Sequence, residues 1–315
     1  MSGPCRRRGL SCPVPLAETR AGLTVALLAR CRFPPPGTPV TCGVSGGADS
    51  LALLVLATAA GCRVTAVHVD HGLRPGSSTE AEVVAVAARR FGARLRAEKV
   101  HVAPGPNLEA RARAVRLVAL GEGAATGHTA DDQAETMILN LMRGSGLDGL
   151  AGMRPGPRHP ILDLRRHETV ALCASMGLEP VTDPTNFDPA HRRNRVRHEV
   201  VPLLCEVAGR DVVPVLTRQA ALLADEADLL DHMAVGGDPT DARWLTGAAR
   251  PLARRSVRRW LRDERGYAPG AAAVERVLAV AGGQVRATEV GGGRRVARTK
   301  GRLRAEPIMA AQRCP

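Results

Sequence analysis

The chain has 315 residues, 44% hydrophobic, 24% charged and only 2% aromatic, with a formal net charge of +13 at pH 7. That length and apolar content supply at least one packed core and exclude a disordered tail. The longest apolar run, Leu51 to Ala60, is about half of what a membrane span needs, and the initial MSGPCRRRGL has no apolar secretion segment. A cytosolic protein with no membrane partner is therefore expected.

Residues 1–20 read as a loose tail. From Pro39 onward, short β-branched runs alternate with helical patterns, the signature of βαβ units and a parallel sheet. Strands are predicted at Val40–Val44, Val64–Val69, Arg94–Val102 and Ala124–Gly127. Helices are predicted near Ser50–Ala60, Thr79–Phe91 and Leu108–Leu120, and from Ala130 to about Met142. In the last of these, Ala134, Met137, Ile138 and Leu141 form one core-facing stripe. The fold class expected for residues 21–205 is thus α/β, a Rossmann-like parallel sheet. The alternation stops after the Gly- and Pro-rich GSGLDGLAGMRPGPRHP. Residues 206–240 read as a helical linker and 241–315 as a smaller, mostly helical C-terminal domain. That domain has helices to about Val280, then a Gly-bounded β pair, Thr288–Val290 with Arg294–Arg304. No internal repeat is visible, and nothing in the sequence speaks to oligomeric state.

Charge and cysteines narrow the function classes. Residues 241–315 hold 17 Lys or Arg against 6 Asp or Glu, a net of +11 out of the total +13. Such an excess points to a polyanionic partner, with Arg254, Arg255, Arg258, Arg259, Arg294 and Arg295 as candidate phosphate contacts. Arg identity itself carries little weight, because the Arg, Ala, Gly and Pro abundance matches a GC-rich codon bias. Eight cysteines (Cys5, Cys12, Cys31, Cys42, Cys62, Cys173, Cys205 and Cys314) include no C-x-x-C pair, so neither a zinc site nor an iron–sulfur cluster is suggested.

The sharpest local signal is Gly43-Val44-Ser45-Gly46-Gly47-Ala48-Asp49-Ser50, after a predicted strand and opening a helix. Backbone N–H groups at a helix N-terminus face an anion, glycines permit close approach, and the Ser45 and Ser50 hydroxyls add donors. Asp49 suits Mg²⁺ bridging phosphates rather than phosphate itself. Capping alone explains a bare Ser-Gly-Gly equally well, but not the whole string. No Lys follows the glycines, so this is not a Walker-type loop.

Further along, Asp70-His71-Gly72 closes the second strand, at the sheet edge where open α/β folds bind ligands, and a capped turn is its bland reading. Glu109, Arg113 and Arg116 share a helix face; spacing alone reads equally as a surface ion pair. Gly127-His128-Thr129-Ala130-Asp131-Asp132-Gln133-Ala134-Glu135-Thr136 joins the fourth strand to its helix. Thr129 and Asp132 fit a capping box, which does not require the His or so many acids. Asp132 and Glu135 lie on one face, placed to grip an ammonium or a metal, and His128 to bind phosphate or move a proton. Asp183-Pro184-Thr185-Asn186 then precedes Arg193-Asn194-Arg195-Val196-Arg197, a solvated helix face or an anion site.

Taken together and in this order, these segments resemble the tRNA(Ile)-lysidine synthetase family of PP-loop enzymes, with similarity running from about Pro39 to Pro202. Two departures are visible: Leu117 where the family has Tyr, and His159-Pro160-Ile161-Leu162 where it has R-P-L-L. The resemblance implies that Ser45, Gly46, Gly47, Ala48, Asp49, Ser50, His71 and Gly127 hold ATP, with Mg²⁺ on Asp49. It further implies catalytic roles for Asp49, Arg113, His128, Asp132, Glu135 and Arg197. The implied reaction adenylates C2 oxygen of the wobble cytidine in CAU-anticodon tRNA(Ile), and free L-lysine then displaces AMP. The rival readings are a PP-loop tRNA thiolase, disfavoured by the missing C-x-x-C, and a non-catalytic RNA-binding homologue. The retained acids count against the latter, and the few aromatics against a stand-alone single-strand binder.

Overall fold

A computed structural model describes residues 16–70, 77–101, 105, 108–264 and 266–308. The chain forms two compact units, Met1–Ala221 and Leu222–Pro315. The division falls inside a single helix, Val213–Ala234. Through Ser175 the helices run in chain order α1 (Leu16–Leu28), α2 (Ala48–Ala59), α3 (Ser77–Arg90), α4 (Leu108–Leu120), α5 (Ala130–Met142), α6 (Leu147–Ala151) and α7 (Arg166–Ser175), and α1 begins within the stretch read as a tail.

In the first unit, strands β1 (Pro39–Gly43), β2 (Arg63–Asp70), β3 (Arg94–Lys99) and β4 (Ala125–Thr126) form one sheet in the order β3-β2-β1-β4. Every pairing is parallel, with Cys42 opposite both Ala66 and Ala125. The chain winds outward from β1 to β2 and β3, then returns to the other side of β1. This reversal opens a crevice at the carboxyl ends of β1 and β4, where α/β sheets bind ligands.

The helix α2 (Ala48–Ala59) leaves β1 into the core: Leu51 through Ala57 are all buried. Such a helix, apolar all round, has no solvated face and must be covered on every side. Strand residues Val64 and Ala66 and helix residues Leu27, Ala87 and Leu172 belong to the same cluster. The helix α5 (Ala130–Met142) continues from β4, with Ala130 and Ala134 packed near Val213 and Ile138 and Leu139 near Val196. A further helix, α7 (Arg166–Ser175), lies in the region where no element is expected from the sequence. Downstream, Arg192–Arg195 is α-helical, Val196–Val200 a π-helical turn, and Val201–Ala208 α-helical again.

The second unit packs Ala253 and Val257 of one helix (Arg250–Trp260) and Val274, Val277 and Leu278 of the next (Ala271–Ala281) against Val290, Val296 and Leu303. The expected β pair is a three-stranded antiparallel meander, Ala287–Gly291, Arg294–Thr299 and Arg302–Pro307. The long run to Arg304 is broken by a two-residue turn at Lys300 (φ 51°) and Gly301 (φ 78°). Two consecutive positive φ values match the twist of a tight hairpin.

Candidate active site

The loop after β1 is tied down before it turns. Val44 N donates to Val67 O at 2.9 Å, and the buried His68 donates from Nδ1 to Val44 O at 3.0 Å. Gly46 takes φ +88°, a conformation a side chain would strain, and its carbonyl accepts Val181 N at 3.0 Å. Gly47 caps α2 with no side-chain bond, so the first N–H groups of the helix face the loop rather than a capping oxygen. Ser50 Oγ donates to Gly47 O at 2.8 Å and accepts from Ser45 N at 3.1 Å and Ser45 Oγ at 3.3 Å. The result is a closed loop at a helix N-terminus, a shape that favours an anion.

Beside the loop sits a cluster of three carboxylates and three guanidiniums. Arg166 reaches all three acids: Asp49 at 3.4 Å, Asp132 at 3.0 Å and Glu135 at 3.2 Å. Arg193 and Arg197 bind Glu135 at 2.9 and 2.7 Å and Asp132 at 3.4 and 3.5 Å. The π-helical turn carries Arg197 with Arg193 on the α-helical turn before it, four residues apart on one face. Between them Asn194 points elsewhere, donating to Thr185 O at 2.7 Å and Asp188 O at 2.9 Å, which anchors the helix to the preceding segment. Asp132 Oδ2 also accepts Thr129 N at 2.9 Å and Thr129 Oγ1 at 3.1 Å. The expected cap is thus present, but the same carboxylate spends its other oxygen on arginines. Arg166 is held in turn by Asp131, which accepts its backbone N–H at 2.7 Å and the Arg165 guanidinium at 3.1 Å.

The charges respond to this setting in opposite directions. Burial raises the Asp49 carboxyl above its ordinary value, only partly offset by the Thr169 hydroxyl and Arg166. Burial also opposes the Asp132 anion, yet Arg166, Arg193, the Thr129 N–H and His128 hold it below the usual range. Cys173, whose Sγ donates to Ala48 O at 3.4 Å, is pushed up to about 12, chiefly by burial and then by Asp49. Burial raises Cys31 and Cys42 to about 12 as well. These thiols stay protonated and are poor sulfur nucleophiles.

On the β4 side, Gly127 has a steric reason. A Cβ there would stand 2.7 Å from Asp49 O and 3.0 Å from Ser50 N, so the first turn of α2 would have to shift. His128 follows, its Nδ1 2.7 Å from Thr126 Oγ1.

The structure thus brings together Ser45 through Ser50, Gly127, Asp132, Glu135 and Arg197. His71 lies outside the described residues, as does the Arg113 side chain, although the backbone of Arg113 is in the helix Leu108–Leu120. Arg166 belongs to this cluster and was missed by sequence reasoning, in which Arg193 figured only as part of an arginine string. A signal for Arg166 existed: Arg165-Arg166 opens a helix, where the dipole disfavours cations unless carboxylates meet them. In the second unit, the candidate phosphate contacts also hold their own fold together: Arg254 binds Glu275, Arg255 binds Asp231, and Arg259 donates to Ala234 O.

Residues 28–204, more than half of the chain, match the family model of the PP-loop domain. The tRNA(Ile)-lysidine synthase of Thermobifida fusca is 41% identical over 307 residues, covering 89% of this chain and 90% of that protein. The tRNA(Ile)-lysidine synthase of Nocardia farcinica is 42% identical over 253 residues, covering 75% of this chain and 80% of that one. Among solved structures, the U34-tRNA thiolase NcsA from Methanococcus maripaludis superimposes with a TM-score of 0.50 at 16% identity, over 66% of this chain and 80% of that chain. The last likeness is one of fold. With a parallel sheet in the order β3-β2-β1-β4, a phosphate-type loop after β1 and relatives alike over most of their length, the chain belongs to the tRNA(Ile)-lysidine synthase family of PP-loop proteins.

Proposed function

We propose that this protein ligates L-lysine to C2 of the wobble cytidine in CAU-anticodon tRNA(Ile), using ATP and changing codon reading from AUG to AUA. Family membership supports the reaction. The structural observation that carries the reading is Arg166, which spans from Asp49 at the loop to Asp132 and Glu135 on α5 and so joins two kinds of chemistry in one site.

Ser45 through Ser50 hold the phosphates of ATP. Asp49 is the residue fitted to Mg²⁺: it is a largely buried carboxylate that gains from a nearby dication. Asp49 would hold the ion, which when bound would neutralise phosphate charge. The cytidine C2 oxygen attacks the α-phosphorus and pyrophosphate leaves; the lysine ammonium gives up a proton to solvent, and the free amine then bonds to C2 as AMP departs with the C–O electrons. Arg166, Arg193 and Arg197 offset the charge that develops on phosphate. The three arginines now balance the three acids, so guanidinium donors drawn toward the nucleotide leave Asp132 and Glu135 to the lysine ammonium, whose placement raises the rate through proximity. The basic second unit grips tRNA phosphates.

The buried, high-pKa thiols favour this reading over a thiolase. The adenylation half is tested by product analysis. Addition of CAU-anticodon tRNA(Ile) transcript to protein and labelled ATP is expected to release pyrophosphate and, with lysine, AMP. Release of ADP and orthophosphate instead would sink the PP-loop chemistry.

A further inference from the structure

A second histidine approaches His128 from a distant segment. Thr126 N donates to Arg158 O at 3.0 Å, and His159 N donates to Gly156 O at 2.9 Å, so backbone bonds fix His159 against the end of β4. There, Thr126 Oγ1 lies 2.7 Å from His128 Nδ1, 3.0 Å from His159 Nδ1 and 3.2 Å from Arg158 O. The two Nδ1 atoms are 3.3 Å apart, with the rings edge to face at 5.0 Å between centroids.

A hydroxyl has one proton, and two Nδ1–H groups pointed at each other over 3.3 Å would set like partial charges together. Two arrangements satisfy all three groups, with the hydroxyl donating to one ring and accepting from the other. The contact lengths favour Thr126 donating its proton to His128 Nδ1 at 2.7 Å, the shorter span of an O–H donor, and His159 donating Nδ1–H to Thr126 Oγ1 at 3.0 Å, the span of an N–H donor. His128 then carries its proton on Nε2. Donation from Thr126 to Arg158 O competes with both and uses the longest of the three contacts.

We propose that His159 is a positioning residue that, through the Thr126 hydroxyl, fixes His128 as the Nε2–H tautomer. No net proton moves: two donors are ordered in series, and the imidazole of His128 is presented as a hydrogen-bond donor rather than a base. Such a donor serves an oxygen that gains charge. A guanidinium is a donor only, so an arginine at position 159 would serve the same hydroxyl without reversing the chain of bonds. The use of Nε2–H in catalysis rests on the ligase reading; the tautomer does not.

The test is ¹⁵N NMR of histidine-labelled full-length protein, above the imidazole titration, with His128 assigned by its loss in His128→Gln. Native protein is expected to show His128 with Nδ1 bare and Nε2 protonated. His159→Leu should move that signature to a tautomer mixture, and His159→Arg should restore it. Thr126→Val breaks the same relay and stands in if His159→Leu melts early. In tRNA-dependent pyrophosphate release, His159→Leu should lose roughly 10- to 100-fold in kcat with KM for ATP within about threefold, and His159→Arg should recover most of the loss. A native His128 protonated on Nδ1, or one whose tautomer ignores both His159→Leu and Thr126→Val, overturns the assignment. Native protein with the expected tautomer but no pyrophosphate release overturns the ligase reading and leaves the assignment of His159 standing.

Discussion

Replacement of Glu135 by alanine is expected to destabilise the first unit by about 3–5 kcal/mol, the cost of removing one partner from a buried ionic network. Glu135 has a side chain only 2% exposed, and it is the acid on which Arg166, Arg193 and Arg197 converge at 3.2, 2.9 and 2.7 Å. Without it three guanidiniums share Asp132, and Arg166 alone also keeps Asp49, in a largely buried site. Glu135→Gln keeps the volume and one acceptor oxygen and should lose less. Denaturant midpoints at unchanged m-value measure the difference, and an alanine variant within 0.5 kcal/mol of native, roughly the scale of an exposed pair, would show the network to be solvated. The network should also survive mild acid. Asp132 titrates below its unfolded value, so its contribution is present above the unfolded pKa and is lost only as pH falls through the lowered folded one.

The second large effect separates activity from stability. Asp49→Asn is expected to cut tRNA-dependent pyrophosphate release by about 100- to 1,000-fold, the scale of losing one preorganised electrostatic group. The same variant should melt higher, by roughly 1–4 °C. The sign follows from the raised pKa of Asp49: folding favours its neutral form, so its charge costs stability once pH rises past the unfolded value and most of all above the folded one. An amide removes that cost and still accepts from the Thr169 hydroxyl, as Oδ1 does now. A calorimetric scan that finds Asp49→Asn less stable at neutral pH would contradict this account of the carboxylate as a stability cost retained for its chemistry.

Much of the site was legible because its signals are local. Gly46, at φ +88°, marks a turn that few other residues can make, and the acids of Asp131-Asp132-Gln133-Ala134-Glu135 exceed what a cap needs. The four parallel strands follow from β-branched runs alternating with helical patterns. What escaped depends on distant partners. Arg166 looks like the start of an ordinary polar helix until Asp49, Asp132 and Glu135 are brought to it from three separate places in the fold. Likewise, His159 reads only as a departure from a motif, and its meaning comes from Thr126 and His128 more than thirty residues away. The missed strand break at Lys300-Gly301 has another cause: Gly301 is a lone mark of a turn inside an Arg-rich run, and Lys300, which also takes positive φ, adds none. The arginines of the second unit show the reverse error, in which a charge run suggests a free basic face although several members hold carboxylates of their own unit.

The most direct test of the ligase itself is ATP-dependent incorporation of labelled L-lysine into CAU-anticodon tRNA(Ile) transcript by the full-length protein, with elongator tRNA(Met) and Asp132→Ala as controls. Incorporation into tRNA(Ile) alone, lost in Asp132→Ala protein that still melts cooperatively, is the predicted result. Pyrophosphate release with tRNA(Ile) but no lysine in the product would contradict it, leaving the PP-loop chemistry in place and assigning the adenylated tRNA to a different nucleophile.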